Sequence, residues 1–388
     1  MSSASAPRLR VAVVGAGSSG LLLALLLQRQ GHDVCLFERA PALRSDGCGI
    51  LLVAAGVEAI ATAGVPGMVE ALLAAGQPVQ RFVIRNLRGD TIETSPVERE
   101  DDDWPGLLVH RRAILEVLWS WFDPSGFRGA SELLHWRQDG DGVEAHFADG
   151  HHWRGDLLVG ADGVFSRVAS QLLPERRLHY LGDRVWRGLV PDASFCTGGD
   201  FVVYARGRGI YANFFDLGTD GEGRPLTHWG FFQEEPLPPE RQRQRSLLEE
   251  PVPPEALARL SDPAAAALIA ATPLEGVVAN WSYDIDPLPR LAQGRVALIG
   301  DAAHAMSSSQ ARGMTAGLED ALSLATWLAR CPGRRAAELA EALAAYDAER
   351  KPVVHRYQER SRRVSARTGR RRSPSTPAAA AEAAAQEA

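Results

Sequence analysis

The chain has 388 residues, 45% of them hydrophobic and 23% charged, which excludes a largely disordered protein and predicts core enough for about two to three domains. Its 42 basic and 48 acidic residues leave a formal charge of −6, which argues against a surface built to wrap nucleic acid. Lys351 is the only lysine, so chemistry that needs a catalytic lysine uses that position or is excluded.

Leu9 to Val14 is a short apolar, β-branched run ending in glycines, as a buried parallel strand does. Ser19 to Gln30 is leucine-rich and stopped by Gly31, which predicts a helix against a sheet, and Asp33 to Phe37 supplies the second strand of a βαβ unit. Alternation at Val79, Arg81, Val83, Arg85, Thr91 and Glu93 around an Asn86 to Asp90 turn predicts an antiparallel hairpin in a different sheet. A helix at 110–122, a β-rich stretch at about 131–160 and long strands over 180–235 follow. The Pro-rich patch Glu235 to Pro254 reads as a loop with a short helix. Strand and glycine return at Arg295 to Gly300, then helices at Met314 to Ala329 and Ala336 to Tyr357.

Gly15-Ala16-Gly17-Ser18-Ser19-Gly20 is a G-x-G-x-x-G set between strand and helix, where bare backbone admits a pyrophosphate at the positive helix end. Glu38 ends the next strand, where a carboxylate accepts from a ribose hydroxyl and repels a 2′-phosphate; Arg39 follows it. These residues indicate an adenine dinucleotide and leave NAD and FAD open. Asp162, in Leu157-Leu-Val-Gly-Ala-Asp-Gly163, and Asp301, in Arg295-Val-Ala-Leu-Ile-Gly300-Asp301-Ala-Ala-His304, each stand just beyond a buried strand, at the end that faces a ligand crevice.

With these segments the chain resembles the class A flavoprotein monooxygenases, the family of para-hydroxybenzoate hydroxylase. The resemblance covers roughly residues 8 to 365 and implies that Asp301 binds the ribityl part of FAD, while Asp162 supports FAD and nicotinamide binding. Val109-His110-Arg111 with Ile114 and Leu118 is similar to the family's helix whose arginine reaches the FAD phosphates, with Arg112 as the neighbouring alternative. Gly47-Cys48-Gly49-Ile50 is similar to its turn beside the isoalloxazine, and Glu319-Asp320-Ala321 to the Asp-Ala of its helix after the flavin loop. The flavin loop itself departs from the family: Ser308, Ala311, Gly313 and Thr315 replace a proline followed by Gly-x-Gly-x-Asn. Gly313 and Met314 still open a helix whose amides can meet the flavin N1–C2=O edge.

The resemblance implies reduction of FAD by NADH or NADPH acting as a transient co-substrate, addition of O2 at C4a, and hydroxylation of a small aromatic or polycyclic substrate by the hydroperoxide. Among Tyr204, Tyr211, His228 and Tyr283, the candidate bases are His228 and Tyr211. Tyr211, Asn213 and Phe215 share one strand face, and His228, Gly230 and Phe232 another. Trp186, Phe214, Phe231 and Phe232 suit either an aromatic ligand or a packed sheet face. Epoxidation, Baeyer–Villiger oxidation and N-oxidation on the same scaffold are the alternatives, as is a flavoprotein that binds its ligand without turnover.

A flavin-dependent halogenase is excluded. Trp119 to Pro124 lacks the isoleucine of the halogenase signature, and Lys351 lies before Pro352 in a C-terminal segment. The histidines show no metal-ligand spacing, so no metal is expected, and the absence of G-x-S-x-G excludes the nucleophile elbow. Arg360 to Arg372 reads as a solvated helix end. The four cysteines lack C-x-x-C spacing, and the longest apolar run, Leu21 to Leu27, is far below the roughly 18 residues of a membrane span. A cytoplasmic protein, monomer or homodimer, without membrane span is expected.

The predicted fold is α/β: a Rossmann-like (GR2-type) FAD-binding domain from 8–76, 106–178 and 272–330, with an inserted mixed β-sheet substrate domain from 77–105 and 179–271. C-terminal helices at 331–369 and a disordered tail at 370–388 complete it. The cofactor-binding set is Gly15, Gly17, Ser19, Gly20, Glu38, Arg39, Gly49, Arg111, Asp162, Gly300, Asp301, Gly313 and Met314.

Overall fold

The computed structural model describes residues 8–43, 48–100, 103–192, 194–219, 222–236, 249–331, 333, 336–367 and 373–374. Five short runs distant in sequence build a parallel sheet with one antiparallel edge: Val296–Leu298, Leu157–Gly160, Arg10–Val14, Asp33–Phe37 and Phe127–Arg128, edged by Ala292–Gln293. Both faces are covered, so its strands are apolar throughout rather than alternating. The helix Ser18–Arg29 is buried from Leu21 to Leu27 because it lies between this sheet and the helix Gly313–Ala329. Two three-stranded sheets flank it. One joins Gly49–Leu52, Leu107–His110 and Gly76–Pro78. The other joins Leu133–Gln138, Val143–Phe147 and His152–Gly155.

The eight-stranded sheet is mixed: Val277–Ile285, Leu178–Pro191, Pro225–Glu234, Ile210–Thr219, Asp200–Gly207, Arg81–Arg85 and Thr91–Pro96 run in that order, with Ser373–Pro374 paired to Leu178–Pro191. Val277–Ile285 therefore belongs to this sheet, not to the 272–330 segment of the nucleotide-side body, because it pairs along Leu178–Pro191 from Gly188 to Leu178. The tail expectation is corrected at Ser373–Pro374, which form a strand; residues 368–372 and 375–388 lie outside the described residues, as do 237–248 of the Pro-rich patch.

The last helix, Ala336–Arg367, runs ten residues past the predicted Tyr357 and carries Pro352 inside it. Its buried positions (Leu339, Ala342, Leu343, Tyr346, Arg350, Val354, Gln358, Ser361, Ser365) recur every three or four residues, so one continuous stripe offsets the hydrogen bond that proline removes. Tyr346 Oη donates to Leu298 O at 2.8 Å in the parallel sheet, and Gln358 Nε2 to Ile285 O at 3.1 Å in the large one. Arg360 and Arg363 are exposed, whereas Arg362 is half-buried and its Nε donates to buried Asp284 at 3.1 Å.

Candidate active site

The glycine turn is tight for two separate reasons. Gly15 holds φ +107°, and a Cβ there would lie 2.3 Å from Ala161 O; at Gly20 it would lie 2.0 Å from Gly15 O. Side chains at these positions would push the first strand off its neighbour. A Cβ at Gly17 meets nothing within 4 Å, so its bareness is not required by packing and leaves a cradle at the start of Ser18–Arg29. The first-turn amides of that helix lack intrahelical partners and point at this space. Glu38 braces the turn: its carboxylate accepts from Ala16 N at 2.9 Å and from Ala40 N at 3.0 Å, and its remaining lone pairs can take a ribose hydroxyl. Arg39 is exposed beside it.

Ser19 faces the second half of the crevice, since a Cβ on Gly300 or Gly317 would come within 2.9 or 2.1 Å of its Oγ. Gly300, at φ +59°, turns the chain from Val296–Leu298 into Asp301–His304 and leaves Asp301 exposed at the crevice; Gly313 stands 3.8 Å from its Oδ1, measured to an added Cβ. Gly313 and Met314 open the helix Gly313–Ala329. Thr315, where the family has asparagine, is buried with its Oγ1 unpartnered among the described residues, and Ala311 adopts the left-handed region at φ 52°.

Asp162 is engaged by its own loop. It accepts from Ser166 Oγ at 2.5 Å, Arg167 N at 2.7 Å and Val168 N at 3.2 Å, and burial pushes its carboxyl above the usual range against these bonds. Arg176, missed in the sequence, sits in the field of both Asp162 and Asp301; burial pushes its guanidinium down to about 10 while the two carboxylates oppose the fall. Its Nε is buried without a partner among the described residues. Arg111 opens Arg111–Trp119 with an exposed side chain, its N–H donating to Cys48 O at 3.1 Å, whereas Arg112 is occupied by Glu116 at 2.6 Å. Gly47 lies outside the described residues.

Beneath Asp301 lies a charged cluster whose roles spacing alone does not signal. Asp320 accepts from Gly300 N at 3.0 Å and His304 Nε2 at 2.5 Å with one oxygen, and from Arg350 Nε at 2.9 Å with the other. Arg350 also donates to Glu319 at 2.6 Å. Burial opposes charge on His304, but the Asp320 carboxylate beside it raises its pKa; burial likewise opposes charge on Asp320, and His304 with Arg350 holds it low.

The large sheet presents one face to this crevice. Gly49 N donates to His228 Nδ1 at 3.1 Å, Phe215 lies on the His228 ring at 4.3 Å, and a Cβ at Gly49 would strike both side chains. His228 is a correction to the sequence reading. Its Nδ1 lone pair is used by Gly49, the ring is also bonded to the Gly188 backbone, and burial, then Arg187 and His110, depress its pKa well below the usual histidine range. It is a neutral pin between the two bodies, not a free base. Tyr211 stays on the crevice face, its ring edge-on to Phe232 at 5.0 Å. Trp186, Phe214 and Phe231 point the other way, into a core covered by Pro263–Ala270, so the packed-face reading holds for them and only Phe232 lines the crevice. Tyr204 is also on that far side, donating to Asp262 at 2.6 Å. Among the described residues, no group of three or more His, Cys, Asp or Glu side chains could hold a metal ion, and no helix is long and apolar enough to cross a membrane.

The FAD binding domain family matches residues 8–361. Aurachin C monooxygenase/isomerase of Stigmatella aurantiaca is 34% identical over 352 residues, 88% of this chain and 85% of that protein. Salicylate hydroxylase of Pseudomonas putida is 31% identical over 387 residues, 91% of this chain and 84% of that protein. The solved structure of Klebsiella pneumoniae HpxO with FAD and uric acid is similar with a TM-score of 0.76 at 26% identity, over 97% of this chain and 92% of that one. A family match that runs from the first strand into the last turns of the C-terminal helix settles the class: the chain belongs to the FAD-binding class A flavoprotein monooxygenases, which use NAD(P)H and O2 to hydroxylate aromatic compounds.

Proposed function

We propose that this chain hydroxylates a small aromatic or polycyclic compound held between the crevice face of the large sheet and an FAD lying along Gly17, Glu38, Arg111, Asp301 and Gly313. The observation that carries the assignment is Gly17, bare where packing does not require it, at a helix start whose amides suit a pyrophosphate. Ser19, Gly15, Gly20 and Gly300 shape the turn, Arg39 stands beside Glu38, Gly49 meets the large sheet at His228, and Met314 supplies a first-turn amide. Asp162 fixes the loop 161–168, and the unpartnered Arg176 Nε fits an anionic oxygen nearby.

FAD, when bound, supplies the electron storage and the oxygen activation. The chain's residues orient and desolvate the substrate: Phe232 and Tyr211 offer ring faces and edges, and Arg187 offers a positive charge that favours the ionised form of a phenol. With His228 engaged, Tyr211 is the remaining candidate for moving a proton. That same engagement favours a second reading, oxygen transfer that needs no base, such as epoxidation or N-oxidation.

The domain division, shifted to place Val277–Ile285 in the substrate body, is part of this proposal, as are a cytoplasmic setting and a monomeric or homodimeric state. The free Cys35, Cys48, Cys196 and Cys331 fit a reducing compartment. The test is the visible spectrum of purified protein, release and identification of the cofactor, and NADH or NADPH oxidation with salicylate, uric acid and bicyclic phenols. Bound FAD with ligand-stimulated oxidation and a product heavier by one oxygen is expected. Failure to take up FAD, or oxidation that no aromatic compound stimulates, refutes the proposal.

A further inference from the structure

The buried stripe of the helix Ala336–Arg367 changes chemistry along its length. Apart from Arg350 it is apolar or aromatic from Leu339 to Val354, and then Gln358, Ser361 and Ser365 close it, all buried. Hydroxyls and amides are costly to bury unless they are bonded, so packing alone does not account for the change. The polar positions grip residues 305–309, which join the Asp301 turn to the helix Gly313–Ala329. Gln358 Nε2 donates to Ala305 O at 3.3 Å, and Ser361 Oγ to Ser307 O at 2.8 Å. Ser307 Oγ lies 2.7 Å from Ser361 Oγ, 2.7 Å from Ser365 Oγ and 2.9 Å from Ser309 Oγ. Ser309 Oγ is also 3.0 Å from Ser361 O.

A hydroxyl has one hydrogen and two lone pairs, which fixes the direction of these bonds. Ser361 gives its hydrogen to Ser307 O, so Ser307 donates to Ser361 and accepts from Ser365 and Ser309. Every bonding position of Ser307 Oγ is then filled. The segment has little else to hold it. Ser308, which stands where the related flavoproteins have proline, is exposed and does not fix φ, and Ala311 is kept in the left-handed region at φ 52°. Among the described residues, the side-chain hydrogen bonds between residues 305–311 and another element all end on Ala336–Arg367.

We propose that Ser307, Ser361 and Ser365 are positioning residues for the flavin, a hydroxyl clasp that sets where the first-turn amides of Gly313–Ala329 stand against its N1–C2=O edge. This rests on FAD lying along Asp301 and Gly313, as proposed above. The positive helix end favours the anionic reduced flavin over the neutral oxidised one, so the reduction potential of bound FAD follows the seating of this segment. The clasp does by hydrogen bonding what a proline does by ring closure.

The test uses FAD-loaded protein and the variants Ser361→Ala, Ser307→Ala and the two combined, with Ser323→Ala as control. Ser323 is also buried, on Gly313–Ala329, and its Oγ has no hydrogen-bond partner among the described residues. Midpoint potential of the bound FAD, FAD affinity of the apoprotein and melting temperature are measured. Ser361→Ala is expected to weaken reduced FAD about tenfold more than oxidised FAD, which lowers the midpoint potential by about 30 mV. The double variant falls no further than the single ones, because the hydroxyls act as a unit. Ser309→Ala, at a half-buried position, loosens the clasp less, gives a smaller fall of the same sign, and decides the matter if Ser361→Ala does not fold. Ser323→Ala keeps the parent potential.

A potential unmoved in Ser361→Ala and Ser309→Ala, or falls that add in the double variant, overturns the proposal. So does a lowered melting temperature at unchanged potential, which marks a structural role alone. FAD content of the parent reports separately on the monooxygenase reading: normal content with an unmoved potential sinks only the clasp, whereas a parent that takes up no FAD sinks both.

Discussion

Replacing Asp320 by asparagine tests whether the buried charge cluster is what holds the Asp301 turn in place. The variant keeps an oxygen for Gly300 N but removes the negative charge shared by His304 and Arg350, both buried. Breaking one partner of a buried ion pair costs about 3–5 kcal/mol. Arg350 retains Glu319 at 2.6 Å, and His304 can shed its proton, so the lower end, about 3 kcal/mol, applies. At about 2 °C per kcal/mol for a chain of this size, melting falls by about 6 °C.

The pH dependence adds a second signature. The His304 pKa is raised in the folded state, so its contribution is full below the unfolded histidine value and is lost as pH rises through the raised one. Asp320 is held low, so its contribution is present above the unfolded carboxylate value and is lost as pH falls through the lowered one. Thermal melts of the FAD-loaded protein from about pH 2 to 9, followed by circular dichroism and by flavin release, should show both slopes flattened in the variant, the carboxylate slope below about pH 4. FAD affinity should fall about tenfold through the loosened Gly300 turn, equivalent to about 1.4 kcal/mol. A loss of stability below about 1 kcal/mol with an unchanged pH profile refutes the reasoning.

Gly17→Ala should leave the melting temperature of the FAD-free protein within about 2 °C, equivalent to about 1 kcal/mol, and weaken FAD binding by tenfold or more, whereas Gly20→Ala should destabilise the fold itself; paired melting and titration of the apoprotein separate the two. Ala311→Gly relieves a left-handed alanine and should stabilise by up to about 1 kcal/mol in denaturant titration, with no change in the absorption spectrum of bound FAD. His228→Asn should retain the pH profile of kcat/KM between pH 6 and 8, because the parent histidine is already neutral there; an inflection that disappears in the variant would restore His228 as a base.

The nucleotide half was legible because each of its devices is local: a strand, a turn with demanded glycines, a helix, and a carboxylate at the next strand end. What escaped depends on partners far along the chain. Both faces of the large sheet are covered and aromatic, so alternation could not say that Trp186 and Phe231 enter a core while Phe232 and Tyr211 face the crevice. His228 looked like a base because residue type was visible and the Gly49 amide that occupies it was not. Val277–Ile285 was assigned to the wrong body since only its register with Leu178–Pro191 reveals its sheet. The last helix was expected through Pro352 to Tyr357, and the buried stripe carries it on to Arg367.

The strand order of the parallel sheet has a consequence for the life of the chain. Its first strand is flanked by Asp33–Phe37 and Leu157–Gly160, the latter pairs next with Val296–Leu298, and Arg350, through Asp320, buttresses the turn of Asp301. The dinucleotide crevice therefore cannot be completed by a fragment that lacks Val296–Leu298 or Arg350. Contacts spanning this much sequence slow folding and postpone completion of the crevice until Val296–Leu298 and Arg350 have joined the first strand and its neighbours.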